Sequence, residues 1–367
     1  MRTSIVCRVV SGCFLTMLAG GTVWAQTSEP GKAPDQPAAP VSTPVPAPAA
    51  EASNAAKAYE KIWDGPNKAI FEATFLRTTI KEEARWLPDA DATKKLEAAQ
   101  ADIEALIAVT KMEACDWNVR TKEEGFDAKV PHWTKLATTA RVFFADARRL
   151  SDRAATGDDA AAAERIASII RLSQHFKNDK LVGSVRTGRQ QAAFGMVEAK
   201  RLAIAGKLDE AARKSLLEVI KPLDNTDPLD MKAALLNESV ITREWTKQIC
   251  VGPNAAKTFI AKFAPKAKQE EIDKSGLNHM DETALHRQID SLDLCYQEVV
   301  ASWDLPNASE AIKSIDLQRK AGDYGGPAVV VNADPGFAHH RSSTFRFVAL
   351  VKDVIKSVNE APLKAAK

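Results

Sequence analysis

The chain has 367 residues, with 50 Lys or Arg against 48 Asp or Glu and six His, for a formal charge of +2. So even a balance lacks the electrostatic footprint of a nucleic-acid binder or a polybasic membrane binder. Past residue 25, no stretch approaches the ~18 apolar residues that a membrane span requires.

The opening MRTSIVCRVVSGCFLTMLAGGTVWAQ places Arg2 and Arg8 ahead of an apolar run from Phe14, with Val23-Trp24-Ala25 before Gln26. This is the pattern of a cleaved secretory signal over residues 1–25. Val10-Ser11-Gly12-Cys13 loosely matches a lipidation box, but the apolar core follows Cys13 instead of preceding it, so cleavage after Ala25 is the reading adopted. Loss of Arg2 and Arg8 leaves 48 basic and 48 acidic residues. The expected location is periplasmic or secreted. Residues 26–53 are rich in Pro and Ala and hold no aromatic residue. Repeated Pro keeps such a segment extended, and a disordered tether is expected.

From Asn54 the composition turns helix-friendly. Helices are expected near 54–63, 66–86, 90–114, 132–155, 159–177, 181–205, 208–221, 228–250, 254–264, 279–303, 308–320 and 342–360. Only Ala328–Val331 reads as a strand, and a lone four-residue strand has no partner. The predicted class is all-α, built as stacked antiparallel αα-hairpins. A helical array covers 54–225, and further helices over 226–321 continue it. An irregular Gly/Pro loop follows over 322–341, then a C-terminal helix over 342–361.

Two junctions share one form. Gly157 is followed by Asp158-Asp159 and an Ala run; Gly206 is followed by Lys207-Leu208-Asp209-Glu210-Ala211-Ala212. Gly ends a helix in a left-handed conformation at little steric cost, and acidic residues suit the positive start of the next. The glycines are 49 residues apart, longer than the ~34 of a tetratricopeptide unit. The mechanism is tetratricopeptide-like; the length is not.

Cys115-Asp116-Trp117, Gly125, Pro131-His132, Arg141, the Gly157-Asp158 turn and Leu172-Ser173-Gln174-His175 carry a resemblance. Over residues 60–225 the chain resembles a family of uncharacterised, tetratricopeptide-like secreted helical proteins of planctomycete-type bacteria. It departs at 126–130 and at Ala137, where the family often has an apolar run and an Arg. The resemblance implies export and a helical fold, and no activity.

Three constellations are candidate chemistry. In 114–133, Cys115, Asp116 and His132 fall in a loop bracketed by helices. A Cys–His pair with Asp116 orienting the imidazole would make a nucleophile. The alternative is a structural corner, with Trp117, Pro131 and Trp133 as packing residues. On helix 279–303, Leu285, Ile289, Leu292, Tyr296, Val299 and Trp303 form a core stripe. Beside it His279, Glu282, His286 and Asp290 lie at i/i+3 and i/i+4 spacing, where they could share a zinc ion or be an ordinary polar flank. The 322–341 loop is the longest break in the helical pattern. It ends in His339-His340-Arg341 before Ser342-Ser343-Thr344, read as an N-cap cluster beside which an anion could sit; the alternatives are an ordinary connector or a disordered segment.

Arg148, Arg149 and Arg153 read as a solvated face. Cys7 and Cys13 leave with the signal. Cys115, Cys250 and Cys295 remain, as one bridge plus a buried thiol or as three buried thiols. Their spacings match no zinc motif. Asn237-Glu238-Ser239 and Asn307-Ala308-Ser309 match glycosylation sequons and are read as incidental. No nucleophile elbow, phosphate loop, dinucleotide fingerprint or CxxC appears. The expectation is a non-enzymatic exported scaffold or binding protein in the cell envelope, with a protein or peptide partner, no nucleic acid and no cofactor. The alternative is a metal-assisted hydrolase or other small-molecule enzyme, with its site near His279–Asp290 or the His339–Arg341 loop.

Overall fold

The computed structural model describes residues 54–72, 75, 86–152, 158–265, 267–327 and 336–362. The expected signal and tether, Gly157, Arg153, the strand at Ala328–Val331 and most of the helix expected over 66–86 lie outside the described residues. Within them every regular element is helical.

The first helices are α1 (Ala55–Trp63), α2 (Ala90–Ala98), α3 (Gln100–Thr110) and a single turn, α4 (Thr121–Glu124). The helix expected over 90–114 is broken at Ala99, and the Gln100 amide donates to the Leu96 carbonyl at 2.9 Å beside the break. Four helices then make the centre: α5 (His132–Asp152), α6 (Asp159–His175), α7 (Val182–Ile204) and α8 (Glu210–Ile220). Next come α9 (Met231–Ile249), α10 (Ala255–Phe263), α11 (Gln269–Ser275), α12 (Glu282–Ser302), α13 (Ala308–Ala321) and α14 (Phe337–Glu360).

Helix α6 is the hub. Ile166, Ala167, Ile169 and Ile170 have no exposed surface, because α3, α5, α7 and α8 all pack on it. A helix apolar around most of its girth is stable only when so enclosed. Small residues let its neighbours approach: a Cβ on Gly195 of α7 would stand 3.0 Å from Ile170. Gly188 meets Ser173 and Phe176 while Gly195 meets Ile170, so α6 and α7 run antiparallel. Helix α14 returns alongside α7 in the parallel sense, with Lys200 paired to Asp353 and Gly206 close to Pro362.

The junction signals form as local chemistry dictates. Gly206 has φ +63°, and the Lys207 N–H reaches back to the Leu202 carbonyl at 3.0 Å. That six-to-one bond satisfies a carbonyl the helix end would otherwise leave open. Asp158 and Asp209 cap the helices that follow, accepting from the Ala161 and Ala212 N–H groups at 2.9 and 2.7 Å. Helix α8 then lies chiefly on α6 and α14.

One apolar core runs from Ala147 through α6, α7, α8, α9, α12 and α13 to Val358. The α12 stripe Leu285, Ile289, Leu292, Tyr296, Val299 and Trp303 is buried throughout. A smaller core gathers Cys250, Phe259, Ile272, Leu277, Leu285 and Ile289 where α10 and α11 meet α12.

The solvated-face reading of the arginines is corrected. Every residue from Val142 to Ser151 is buried. Asp146 has no exposed surface; it accepts Arg149 at 2.7 Å and Arg165 at 3.0 Å, and Gln100 donates to it at 3.1 Å. Arg148 pairs with buried Glu198 at 2.8 Å. The charges on α5 are paired by groups arriving from other helices, and so can be buried.

Candidate functional site

The corner between α3 and α5 is built from irregular chain. Asn54 ties it down twice: its side chain accepts the Asp116 N–H at 2.9 Å and donates to the Asp116 carbonyl at 2.9 Å. The Asp116 carboxylate accepts the Asn118 N–H at 2.8 Å, closing a turn in which Asn118 is left-handed, φ +49°. Gly125, φ +58°, then lays its backbone against Trp245 of α9, where a Cβ would come within 1.9 Å of the indole. Only glycine fits both that dihedral and that contact.

Rings fill the corner. Tyr59 stacks on Trp63 (5.2 Å), Trp63 on Trp117 (5.6 Å, 3° between planes), and Trp117 on His132 (4.4 Å, 8°). Beneath them lies Asp179, its side chain 1% exposed. One carboxylate oxygen of Asp179 accepts from His132 Nε2 at 2.9 Å, Trp133 Nε1 at 2.6 Å and Ser184 Oγ at 2.8 Å. His175 Nε2 donates to the Met112 carbonyl at 2.9 Å, so its Nδ1 accepts the Tyr59 hydroxyl proton at 3.0 Å. Burial lowers the His175 pKa and raises that of Tyr59, which keeps both neutral.

The nucleophile reading is corrected here. His132 is bonded to Asp179, not to Cys115, and Asp116 is occupied with Asn54 and Asn118. Burial pushes the Cys115 thiol well above its usual range, and the Asp179 and Asp116 charges add to this, with Trp117 opposing. A thiol so placed does not supply a thiolate. Asp179 is 47 residues from His132, and nothing in the sequence pairs them.

Outside the ring stack lies an open hollow of about 410 Å³. Glu113, Ala114, Cys115 and Asp116 line one side, and Lys177, Asn178 and Lys180 a second. Asp230 and Ala233, at the start of α9, complete the rim. Asn178 donates to the Cys115 carbonyl at 3.1 Å, and Lys177 pairs with Asp230 at 3.1 Å. Among the described residues, the non-glycine positions with positive φ are Asn118, Lys180 (+53°) and Asp230 (+57°). Two of the three line the hollow, and the third is in the corner beside it. Asn and Asp adopt this conformation readily, whereas at Lys180 it costs about 1–2 kcal/mol, and strain of this kind collects at functional sites.

The α12 row does not converge. Helix α12 starts at Glu282 behind an Asp281 cap, so His279 sits in the preceding Leu277–His279 turn, exposed. Glu282 accepts the Gly252 N–H at 2.6 Å, His286 Nε2 donates to the Cys250 carbonyl at 2.8 Å, and Asp290 pairs with Lys247 at 2.6 Å. The row fastens α12 to the end of α9. No group of three or more His, Cys, Asp or Glu that could hold a metal occurs among the described residues.

The third expectation is also corrected. Helix α14 begins at Phe337 with Gly336 as its N-cap, so His339, His340 and Arg341 are helical and Ser342–Thr344 cap nothing. Arg341 donates to the Trp303 carbonyl at 2.9 Å and lies over the Trp303 ring; His340 is buried. Cys115, Cys250 and Cys295 are three buried free thiols. No family model, curated protein or solved structure matches this chain.

Proposed function

We propose that the protein is a non-enzymatic helical binding protein of the cell envelope, and that the hollow beside Cys115 receives a polar segment of a protein or peptide partner. The carrying observation is the coincidence of that open hollow with two left-handed residues on its rim, Asp230 and the strained Lys180. Behind it, stacked rings and a carboxylate that accepts three donors tie together the chain on either side of its walls. The rim carries both signs, with Lys177 and Lys180 against Asp116 and Asp230, which suits a peptide better than a polyanion. The signal pattern of residues 1–25 supports the envelope.

The test is site-specific photocrosslinking in cells. A photoreactive residue at Ala233, on the rim, is expected to yield one discrete adduct that the same residue at Lys313, on exposed α13, does not. Identical adduct patterns at the two positions, or no adduct at Ala233, would remove the binding reading.

A further inference from the structure

The wall of the hollow at 114–116 is a short length of extended chain. Asp116 turns both its N–H and its carbonyl to the side chain of Asn54, at 2.9 Å each. The Ala114 carbonyl accepts the Ala55 N–H at 2.8 Å on that same side. In extended chain the N–H and C=O of one residue point one way, and those of the next residue point the other. Cys115 accordingly faces away from α1: its carbonyl accepts the Asn178 amide, from the second wall of the hollow, at 3.1 Å. The Cys115 N–H lies on that side too. Among the described residues it has no hydrogen-bond partner, although Cys115 is 3% exposed.

A backbone N–H held away from water is nearly always paired in a folded protein. The carbonyls around it obey that rule: those of Lys177 and Lys180 accept the Lys180 N–H at 3.0 Å and the Asn237 amide at 2.9 Å. Asn178 gives the Cys115 carbonyl the donor that an adjacent strand would give, and the N–H half of that pairing is open. The charges that act on Cys115 are those of Asp179 and Asp116, both negative. They favour a neutral acceptor over a carboxylate at this donor. On the rim, exposed Lys180 and Glu113 are opposite in sign, and Lys177 is paired with Asp230. No single charge dominates.

We propose that the hollow recognises peptide main chain: a segment of the partner lies extended beside 114–116, and one of its backbone carbonyls accepts the Cys115 N–H. This is strand addition to a piece of chain that belongs to no sheet. A backbone contact asks for no particular side chain, so the partner is defined by an uncharged, extended stretch that can approach the wall. Main-chain recognition at Cys115 rests on the binding reading of the hollow and specifies what is bound there.

The measurement is amide NMR of the chain from Gln26 onward, with cysteine as the sole nitrogen-labelled residue. Cys115, Cys250 and Cys295 then give three amide signals, assigned through Cys115→Ser. Cys250 donates to the Thr246 carbonyl at 2.9 Å and Cys295 lies within α12, so both serve as paired controls. The probe is acetyl-trialanine amide, which carries main-chain carbonyls and no charge. It should move the Cys115 amide proton downfield, saturably, and leave the controls in place. Sodium acetate at equal concentration and ionic strength should not. Ala233→Trp, at an exposed rim position, should abolish the response while the control signals stay put. No shift at Cys115, an equal shift with acetate, or a response that survives Ala233→Trp would overturn main-chain recognition. An Ala233 crosslink in cells beside an unmoved Cys115 amide would leave the binding reading standing without it. With neither an adduct nor a shift, both fall.

Discussion

Single residues in this protein are reactive by type and structural by placement. Three of the cysteines lie among the described residues, Cys115, Cys250 and Cys295, and all are buried. Burial pushes Cys250 up to about 11 and Cys295 to about 12, and Cys115 higher than either. A thiol reagent at pH 8 should therefore leave the folded chain from Gln26 onward almost unmodified over about an hour, and titrate three groups once denaturant is added. Rapid labelling of Cys115 in the folded chain would restore the nucleophile. The residue types at the corner were legible in the sequence, and their partners were not. His132 finds Asp179, Trp63 finds Thr139 at 3.0 Å, and Tyr59 finds His175. Those bonds cross 47, 76 and 116 residues of chain, distances at which spacing and periodicity carry no information.

At the scale of elements, local and long-range stabilisation can be separated by mutation. Asp209 caps α8 through one hydrogen bond to Ala212, so Asp209→Ala should cost about 1 kcal/mol. Asp146 serves two buried guanidinium groups from α5 and α6. Asp146→Ala leaves both without their shared buried carboxylate, although Glu97 and Glu104 still reach them from the surface, and a loss of about 3 kcal/mol is expected. Urea denaturation measures both, and equal costs for the two variants would contradict this account of the network. Helix positions were readable because caps and apolar spacing are local: Asp158, Asp209 and the α12 stripe all perform as their positions imply. The arginines of α5 were misread because periodicity treats charge as outward-facing. Here the matching carboxylates are Glu198 on α7 for Arg148, and Asp146 on α5 with Glu97 on α2 for Arg149.

In the whole molecule, α14 packs back on helices from the middle of the chain. Helix α14 buries Phe337, Phe347, Val351, Val354 and Val358, and packs on α7, α8 and α13. A chain ending at Pro327 should lose cooperative thermal unfolding and bind a hydrophobic dye, since the faces of α7 and α8 that α14 covers would be exposed. A sharp transition at the wild-type temperature would show α14 to be dispensable. The amino-acid sequence alone determined the helical class, the Gly206 and Asp209 junction and the apolar faces, because each follows from dihedral preference, capping or periodicity within a few residues. It also contained the corner at 114–133 as a break in pattern. Only the tertiary structure decided what the corner is. Whether Cys115, His132, Glu282 and His286 meet one another or other partners depends on which helices pack together, and that is set by burial of the whole core, not by the spacing of the residues along it.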